Sequence, residues 1–213
     1  MIPPIRTGRR PGRKSRVERN AENRLALLHA AAEVVGEYGY QEASLARIVD
    51  RAGLSTGTFY VHFESRQDLL DQLLPFVGEE IFVVLREKVS GARTLLEVEE
   101  RGLRGHLDYA LEHPNYYRVL KEAELFAPEA YRVHLDAALA HYRAVFTRSL
   151  RSGELAGYGE ADVEKLSRMI LATRVELIGM LLQAPDRGRL HEELVGAYLR
   201  FVAHGLLGGR PAE

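Results

Sequence analysis

The sequence of 213 residues contains no cysteine. This absence excludes disulfides, thiolate metal sites and a cysteine nucleophile, and it fits the reducing cytoplasm in which we expect the protein to work. No run of about 18 apolar residues is present, so the sequence predicts no transmembrane helix. The basic N-terminus is not followed by an apolar stretch, which argues against a secretory signal. The hydrophobic content of 46% nevertheless provides for a full-sized core.

Motifs of common enzyme classes are also missing. There is no Walker A loop and no HExxH metalloprotease motif. His106 and His113, like His134 and His141, are seven residues apart, about 10 Å along a helix, which is too far for one metal ion. We therefore expect no enzymatic activity, no metal site and no cofactor. An all-helical enzyme or a ligand carrier remains the alternative from another class.

The net charge of −1 conceals an unequal distribution. Residues 1–66 carry 11 basic and 7 acidic side chains, whereas residues 67–213 carry 18 basic and 23 acidic ones. A basic end joined to an acidic body predicts a polyanion that is bound at one end only. Residues 1–19 are expected to form a flexible basic arm in which Arg13 and Lys14 contact DNA, with a merely solvated tail as the alternative.

Beyond the arm, apolar residues recur at three- and four-residue steps, which predicts helices throughout. Ser15 and Glu18 have the spacing of a capping box, and Gly39 is expected to end the first helix in the left-handed conformation. Ser44 is expected to cap a short helix that Gly53 ends. Later helices are expected over residues 94–112, 115–126, 128–151, 160–184 and 189–206.

Residues 53–63, GLSTGTFYVHF, contain the β-branched and aromatic residues typical of a strand. A lone strand without a partner is not stable. A helix that begins after Ser55 instead places Phe59 and Phe63 on one face, where both can enter a core. We therefore interpret the segment as the second helix of a helix-turn-helix. Its outer face is small and hydroxylated, which suits a DNA major groove.

Residues 25–74 resemble the DNA-binding domain of the TetR family of transcriptional regulators. The resemblance is carried by the segments EYGY, SLARIV, AGLSTGTFYVHF and SRQDLL, which occupy residues 37–40, 44–49, 52–63 and 65–70. It implies an all-α fold with an N-terminal three-helix DNA-binding domain, placed at residues 20–66. A helical ligand-binding and dimerisation domain would then occupy residues 67–213.

The resemblance also implies which residues contact DNA. Tyr60 and Arg66 would contact phosphates, while Thr56, Gly57 and Thr58 would approach the bases. Arg66 stands where the family usually has lysine, a change that keeps the charge and allows bidentate phosphate binding. The full set of expected DNA-contacting residues is Ser44, Arg47, Ser55, Thr56, Gly57, Thr58, Tyr60, His62, Arg66, Arg13 and Lys14.

The function implied by the resemblance is that of a bacterial repressor. A homodimer, formed through the last two helices, would bind a palindromic operator in double-stranded DNA and leave it when a small-molecule effector binds. A ligand-insensitive or activating regulator of the same family is the alternative. An architectural protein that coats DNA is disfavoured because the acidic body would repel the phosphates.

Aromatic and imidazole side chains concentrated in the body could line a ligand cavity. Arg174 lies among apolar residues, and a buried arginine needs an anion. That anion is expected to be a carboxylate such as Glu176 of a second subunit, Glu122 or Glu124, or else an acidic ligand. The expected ligand-binding residues are Tyr116, Tyr117, Phe126, His141 and Arg174.

Overall fold

The structure is a computed structural model that describes residues 15–208, so Arg13, Lys14 and most of the expected arm lie outside the described residues. Within this range the chain forms nine α-helices and no strand, which confirms the all-α fold class. None of these helices is long and apolar enough to cross a bilayer. The helices are α1 (Arg16–Tyr38), α2 (Leu45–Ala52), α3 (Thr56–His62), α4 (Arg66–Val89), α5 (Leu95–Glu112), α6 (Pro114–Phe126), α7 (Pro128–Arg151), α8 (Val163–Gln183) and α9 (Arg187–Phe201).

Short side chains define the ends of the first helices. In the capping box of α1, the backbone N–H of Glu18 donates to Ser15 Oγ at 3.1 Å. Because that helix starts at Arg16, the last four residues of the expected arm are helical. Gly53 ends α2 in the left-handed conformation, with φ 65° and ψ 29°. Gly39 has a positive φ of 85° but a ψ of 165°, so its predicted left-handed conformation is wrong.

Helix α3 confirms that the strand-like segment is helical. Phe59 and Phe63 are 0% and 2% exposed, and their ring centroids are 5.5 Å apart. Both rings belong to a core shared with α1, α2 and α4. Packing of these two rings therefore outweighs the intrinsic strand preference of the segment.

Two hydrophobic cores organise the chain. The first continues without a break from the helix-turn-helix into α4, α6 and the start of α7. The second joins α5, α7, α8 and α9. The helix-turn-helix therefore shares one core with α4 and α6.

Candidate functional site

The outer face of α3 carries small and hydroxylated side chains. Thr56, Gly57 and Tyr60 are exposed, Tyr60 to 59%, and Thr58 is half-buried. Ser55 caps the helix by accepting the backbone N–H of Thr58 at 3.1 Å, and the two hydroxyls lie 2.9 Å apart. A Cβ built on Gly57 would meet only Ser55 Oγ, at 3.7 Å. A partner surface can therefore approach the backbone of α3 closely.

The letters GLSTG at residues 53–57 also fit the Gly-x-Ser-x-Gly pattern of hydrolases. In those enzymes the serine sits on a sharp turn between a strand and a helix, where its hydroxyl is free to attack. Here Ser55 follows α2, and its hydroxyl serves the N-terminus of α3. The serine is therefore a helix cap in a helix-turn-helix.

Three further residues expected at DNA lie on the helix-turn-helix, two at α2 and one in α3. Ser44 caps α2 at the surface. Arg47 lies with its guanidinium 4.5 Å from the Tyr38 ring centroid and donates to the backbone carbonyl of Glu42 at 2.7 Å. His62 ends α3, and its Nε2 is buried without a hydrogen-bond partner in the described structure.

Arg66, at the start of α4, is half-buried, and its guanidinium faces the backbone between α1 and α2. Its Nε donates to the backbone carbonyl of Ala43 at 2.6 Å, and one Nη donates to the carbonyl of Tyr40. The resemblance implied a phosphate contact for this residue. In the free protein the same side chain holds the segment between α1 and α2 against α4.

Helix α6 holds that segment from the other side. The backbone N–H of Tyr40 donates to Glu122 Oε2 at 2.8 Å. Arg118 donates to Glu122 Oε1 at 2.7 Å and to the α1 carbonyls of Gly36 and Glu37 at 3.2 and 2.9 Å. These contacts, together with Arg66, form what we call the Tyr40 junction. It ties the end of α1 and the segment that follows it to α4 and α6.

The body contains a cavity of about 560 Å³. Helices α4, α5, α7 and α8 form most of its wall, and Tyr116 and Leu120 of α6 complete it. The volume lies within the range of small-molecule sites. Its polar lining residues include Glu99, His106, His134, His141 and Arg174.

Three of the five residues expected at the ligand, Tyr116, His141 and Arg174, line this cavity. The other two do not. Phe126 stacks on Tyr40 of the junction, with ring centroids 6.1 Å apart and planes 9° apart. Tyr117 packs into the second core on the neighbouring face of α6, where its hydroxyl occupies the space that a Cβ on Gly179 would need.

Arg174 is buried, and its partner is Glu99 of α5. The Nη2 atom donates to Glu99 Oε2 at 2.6 Å, and both side chains are at most 4% exposed. Tyr198 also donates to that carboxylate. The expectation of a carboxylate partner is correct in kind, but Glu176, Glu122 and Glu124 are the wrong residues. Because α5 packs against α8, Glu99 of α5 provides the carboxylate for Arg174 within the same chain.

The polar groups of the cavity are electrostatically balanced. Burial opposes the charge of Arg174, but Tyr142, Glu99 and Tyr198 outweigh it, so its pKa lies well above the usual value. Burial and the nearby Arg174 charge lower the pKa of His106 well below its usual value, so this histidine is neutral. Burial raises the pKa of Tyr142 to about 12. Among the described residues, the buried acidic and basic side chains are therefore Glu99 and Arg174, which are paired with each other.

His134 is a second buried neutral histidine. Its ring stacks on Phe82, with centroids 5.2 Å apart, and its Nε2 lies 3.3 Å from the Tyr116 hydroxyl. It fills the space that a Cβ on Gly78 would need. Burial lowers its pKa to about 4.

The free energy of unfolding should consequently fall as the pH is lowered from about 6.5 towards 4, because the unfolded chain protonates His134 near pH 6.5 while the folded chain does not. Its contribution is fully present above pH 6.5 and falls by about 2 kcal/mol at pH 5. Urea unfolding of His134→Gln at several pH values should show a shallower slope. His29→Gln, at an exposed histidine, is the control and should keep the wild-type slope; equal slopes in all three proteins would contradict this account.

Glu99 and His106 belong to the cavity but were not among the expected ligand residues. They lie seven residues apart on the buried face of α5, which otherwise consists of apolar residues and glycine at these steps. Two polar residues that interrupt the apolar face of a helix could have indicated these cavity residues from the sequence alone. Within residues 15–208, no three His, Asp or Glu side chains are grouped so that they could hold a metal ion.

Comparison with known proteins agrees with this architecture. Residues 27–73 match the family model of bacterial regulatory proteins, tetR family. The HTH-type transcriptional repressor BepR of Brucella suis is 26% identical over 88% of this chain and 84% of its own length. FadR of Bacillus subtilis, solved in complex with stearoyl-CoA, aligns with a TM-score of 0.74 at 22% identity over 85% of this chain and 98% of that one.

A TetR-family regulator from Pectobacterium atrosepticum aligns with a TM-score of 0.68 at 24% identity, over 92% of this chain and 99% of that one. At such identities the likeness to solved structures shows the fold. The family match adds the helix-turn-helix, in the residues where the structure has one. Residues 27–73 therefore carry the DNA-binding helix-turn-helix of the TetR family, and the chain is a DNA-binding regulator of transcription.

Proposed function

We propose that the protein is a repressor that leaves its operator when a small molecule enters the cavity between α4, α5, α7 and α8. Residues 20–66 form the DNA-binding domain in this proposal, and residues 67–213 form the effector-binding and dimerisation domain. The outer face of α3 enters the major groove, with Thr56, Gly57 and Thr58 at the bases and Tyr60 at a phosphate. The repressors among its relatives and the stearoyl-CoA complex of FadR support the proposal.

Helices α8 and α9 are proposed to form the dimer. Met169 and Met180 on α8 are 56% and 46% exposed, and they lie eleven residues apart, which puts them on one face. Phe201 on α9 is 48% exposed. Two copies of this helix pair would bury these side chains in a four-helix arrangement. The two α3 helices of the dimer would then meet operator half-sites about 34 Å apart.

A single observation carries the proposed link between effector and DNA. Helix α6 lines the cavity with Tyr116 and Leu120, and with Arg118 and Glu122 it holds the Tyr40 junction. All four residues belong to one helix. A ligand that displaces Tyr116 and Leu120 is therefore expected to move Arg118 and Glu122 as well. Because the junction fixes where α1 and α2 lie, that motion changes the position of α3.

The proposal is tested by selecting operator sequences from random duplex DNA and measuring release by fluorescence anisotropy. We expect a palindromic site with roughly nanomolar affinity that weakens steeply with salt. Compounds from a metabolite library that raise the melting temperature should also release the operator. Binding without sequence preference would refute the repressor, and stabilising compounds that never affect DNA binding would refute effector control.

Glu122→Ala should uncouple the two sites. The variant loses the acceptor for Tyr40 N–H and the partner of Arg118, so it should still bind operator but need about tenfold more of a releasing compound. Glu124→Ala, at an exposed glutamate on the same helix, is the matched control and should behave as wild type. If both variants release operator at the wild-type compound concentration, α6 is not the link.

A further inference from the structure

Arg174, the one buried cation of the described cavity wall, has an acceptor at each of its three nitrogens. Besides Glu99 Oε2, its Nη2 reaches the Glu99 backbone carbonyl at 3.2 Å, and its Nε points to the Tyr198 hydroxyl at 3.5 Å. The guanidinium also lies 5.3 Å from the Tyr142 ring centroid. An anionic ligand could recruit this arginine only by leaving the carboxylate of Glu99 buried and unpaired, which is costly.

The same arginine determines which nitrogen of His106 carries the proton. Arg174 Nη1 lies 3.4 Å from His106 Nδ1, and a guanidinium can only donate. Nδ1 of the neutral ring must therefore accept, so the proton is on Nε2. Among the described residues, His106 Nε2 has no hydrogen-bond partner, and the residue lines the cavity. The cavity thus offers a ligand one N–H donor with a defined position.

A buried acceptor is also unfilled. Glu99 Oε1 has no hydrogen-bond partner in the described structure, although its side chain is completely buried at the cavity wall. It can accept a hydroxyl proton from a ligand. The two free positions lie about two helical turns apart along α5, so a ligand with polar groups at two points could meet both.

Among residues 15–208, the rim of the cavity adds no unpaired arginine or lysine. Arg86 pairs with Glu79 at 2.8 Å, and Arg168 pairs with Glu164 at 2.7 Å. Glu176, a further acidic residue, is also part of the lining. Phosphate groups of a coenzyme A thioester would therefore meet a balanced or slightly negative rim.

We propose that the effector is an uncharged, largely apolar organic molecule with an oxygen acceptor for His106 Nε2–H and no carboxylate, phosphate or ammonium group. Alcohols, phenols and ketones are members of this class. The inference rests on the proposed effector function of the cavity and specifies the chemistry that it admits. An anionic group would lose its hydration there without gaining a free counterion, and an ammonium group would have to share the carboxylate of Glu99 with Arg174.

The test uses compounds that share a carbon skeleton but differ in charge. The dodecyl set comprises 1-dodecanol, dodecane, dodecanoate, dodecylamine and dodecanoyl-CoA, and the ring set comprises the alcohol, hydrocarbon, carboxylate and amine of 2-ethylnaphthalene. Affinity is measured by thermal shift and by operator release. In at least one set, the alcohol should bind about tenfold more tightly than the hydrocarbon and each charged member.

Two variants assign the preference to His106. His106→Phe should bind alcohol and hydrocarbon equally, whereas His106→Gln, which retains an N–H donor and an acceptor for Arg174, should keep the preference. A melting temperature without ligand shows that each variant is folded. Equal or tighter binding of any charged member, or an unchanged preference in His106→Phe, would overturn the inference.

Failure of this inference is distinguishable from failure of the proposed function. If neither compound set binds but a library metabolite still releases the operator, the effector class is wrong and the ligand-controlled repressor stands. If the alcohols bind with the expected preference but never release operator, the cavity chemistry is right and the regulatory role is wrong.

Discussion

Replacing Glu99 with glutamine is expected to lower the free energy of unfolding by about 3–5 kcal/mol, because it leaves the charge of Arg174 buried without an anion. Both side chains are almost completely buried, so water cannot replace the lost carboxylate. Urea unfolding followed by circular dichroism measures the change. Glu100→Gln is the matched control: its pair with Arg104 is partly exposed, and losing it should cost no more than about 1 kcal/mol.

The double variant Glu99→Leu, Arg174→Leu separates charge from packing. Removing both charges together should restore most of the stability that Glu99→Gln loses, since neither ion remains uncompensated. Glu99→Gln with a stability equal to that of Glu100→Gln would show that Arg174 finds another anion or water, and the balanced cavity described above would then be incorrect.

Replacing Gly57 with leucine is expected to weaken operator binding about 100-fold without weakening the fold, because a side chain would stand between α3 and the bases and displace several contacts of 1–3 kcal/mol each. The free protein has room for it, since only Ser55 Oγ lies near a Cβ at this position. Leucine is also the better helix former by about 0.8 kcal/mol, so the melting temperature should not fall.

Gly159→Leu is the control for this substitution. Gly159 is exposed between α7 and α8 in an extended conformation, and no atom lies within 4 Å of a Cβ there. The control should match wild type in operator affinity, measured by anisotropy at a fixed salt concentration. If Gly57→Leu binds operator with wild-type affinity, the centre of α3 is not part of the DNA interface.

The sequence predicted what depends on near neighbours. Ser15, Ser44 and Ser55 act within four residues of themselves, and the apolar repeat of each helix is a local pattern, so the helices were predicted to within a few residues. Phe59 and Phe63 were assigned to the core because two residues four positions apart lie on the same face of a helix.

Contacts between residues far apart in the sequence could not be predicted. Glu99 and Arg174 are 75 residues apart, and several carboxylates were equally plausible partners by sequence. Arg66 was expected to contact phosphate because the family resemblance implied it, whereas the carbonyls that it binds belong to a backbone path that only the fold defines. Phe126 was assigned to the ligand site because it is aromatic. A ring at the end of a helix can equally face another part of the protein, and here it stacks on Tyr40.

The Tyr40 junction has a consequence for swapping DNA specificity between relatives. Residues 45–62, which comprise α2 and α3, make none of the junction's hydrogen bonds, so under the proposed coupling we expect that another regulator's helix-turn-helix can replace them without loss of the effector response. An exchange that also includes Gly36 and Tyr40 separates them from Arg118 and Glu122. Such a hybrid needs the matching α6 residues of the regulator that donates the segment. A hybrid regulator is therefore best joined within residues 20–66, between Tyr40 and α2.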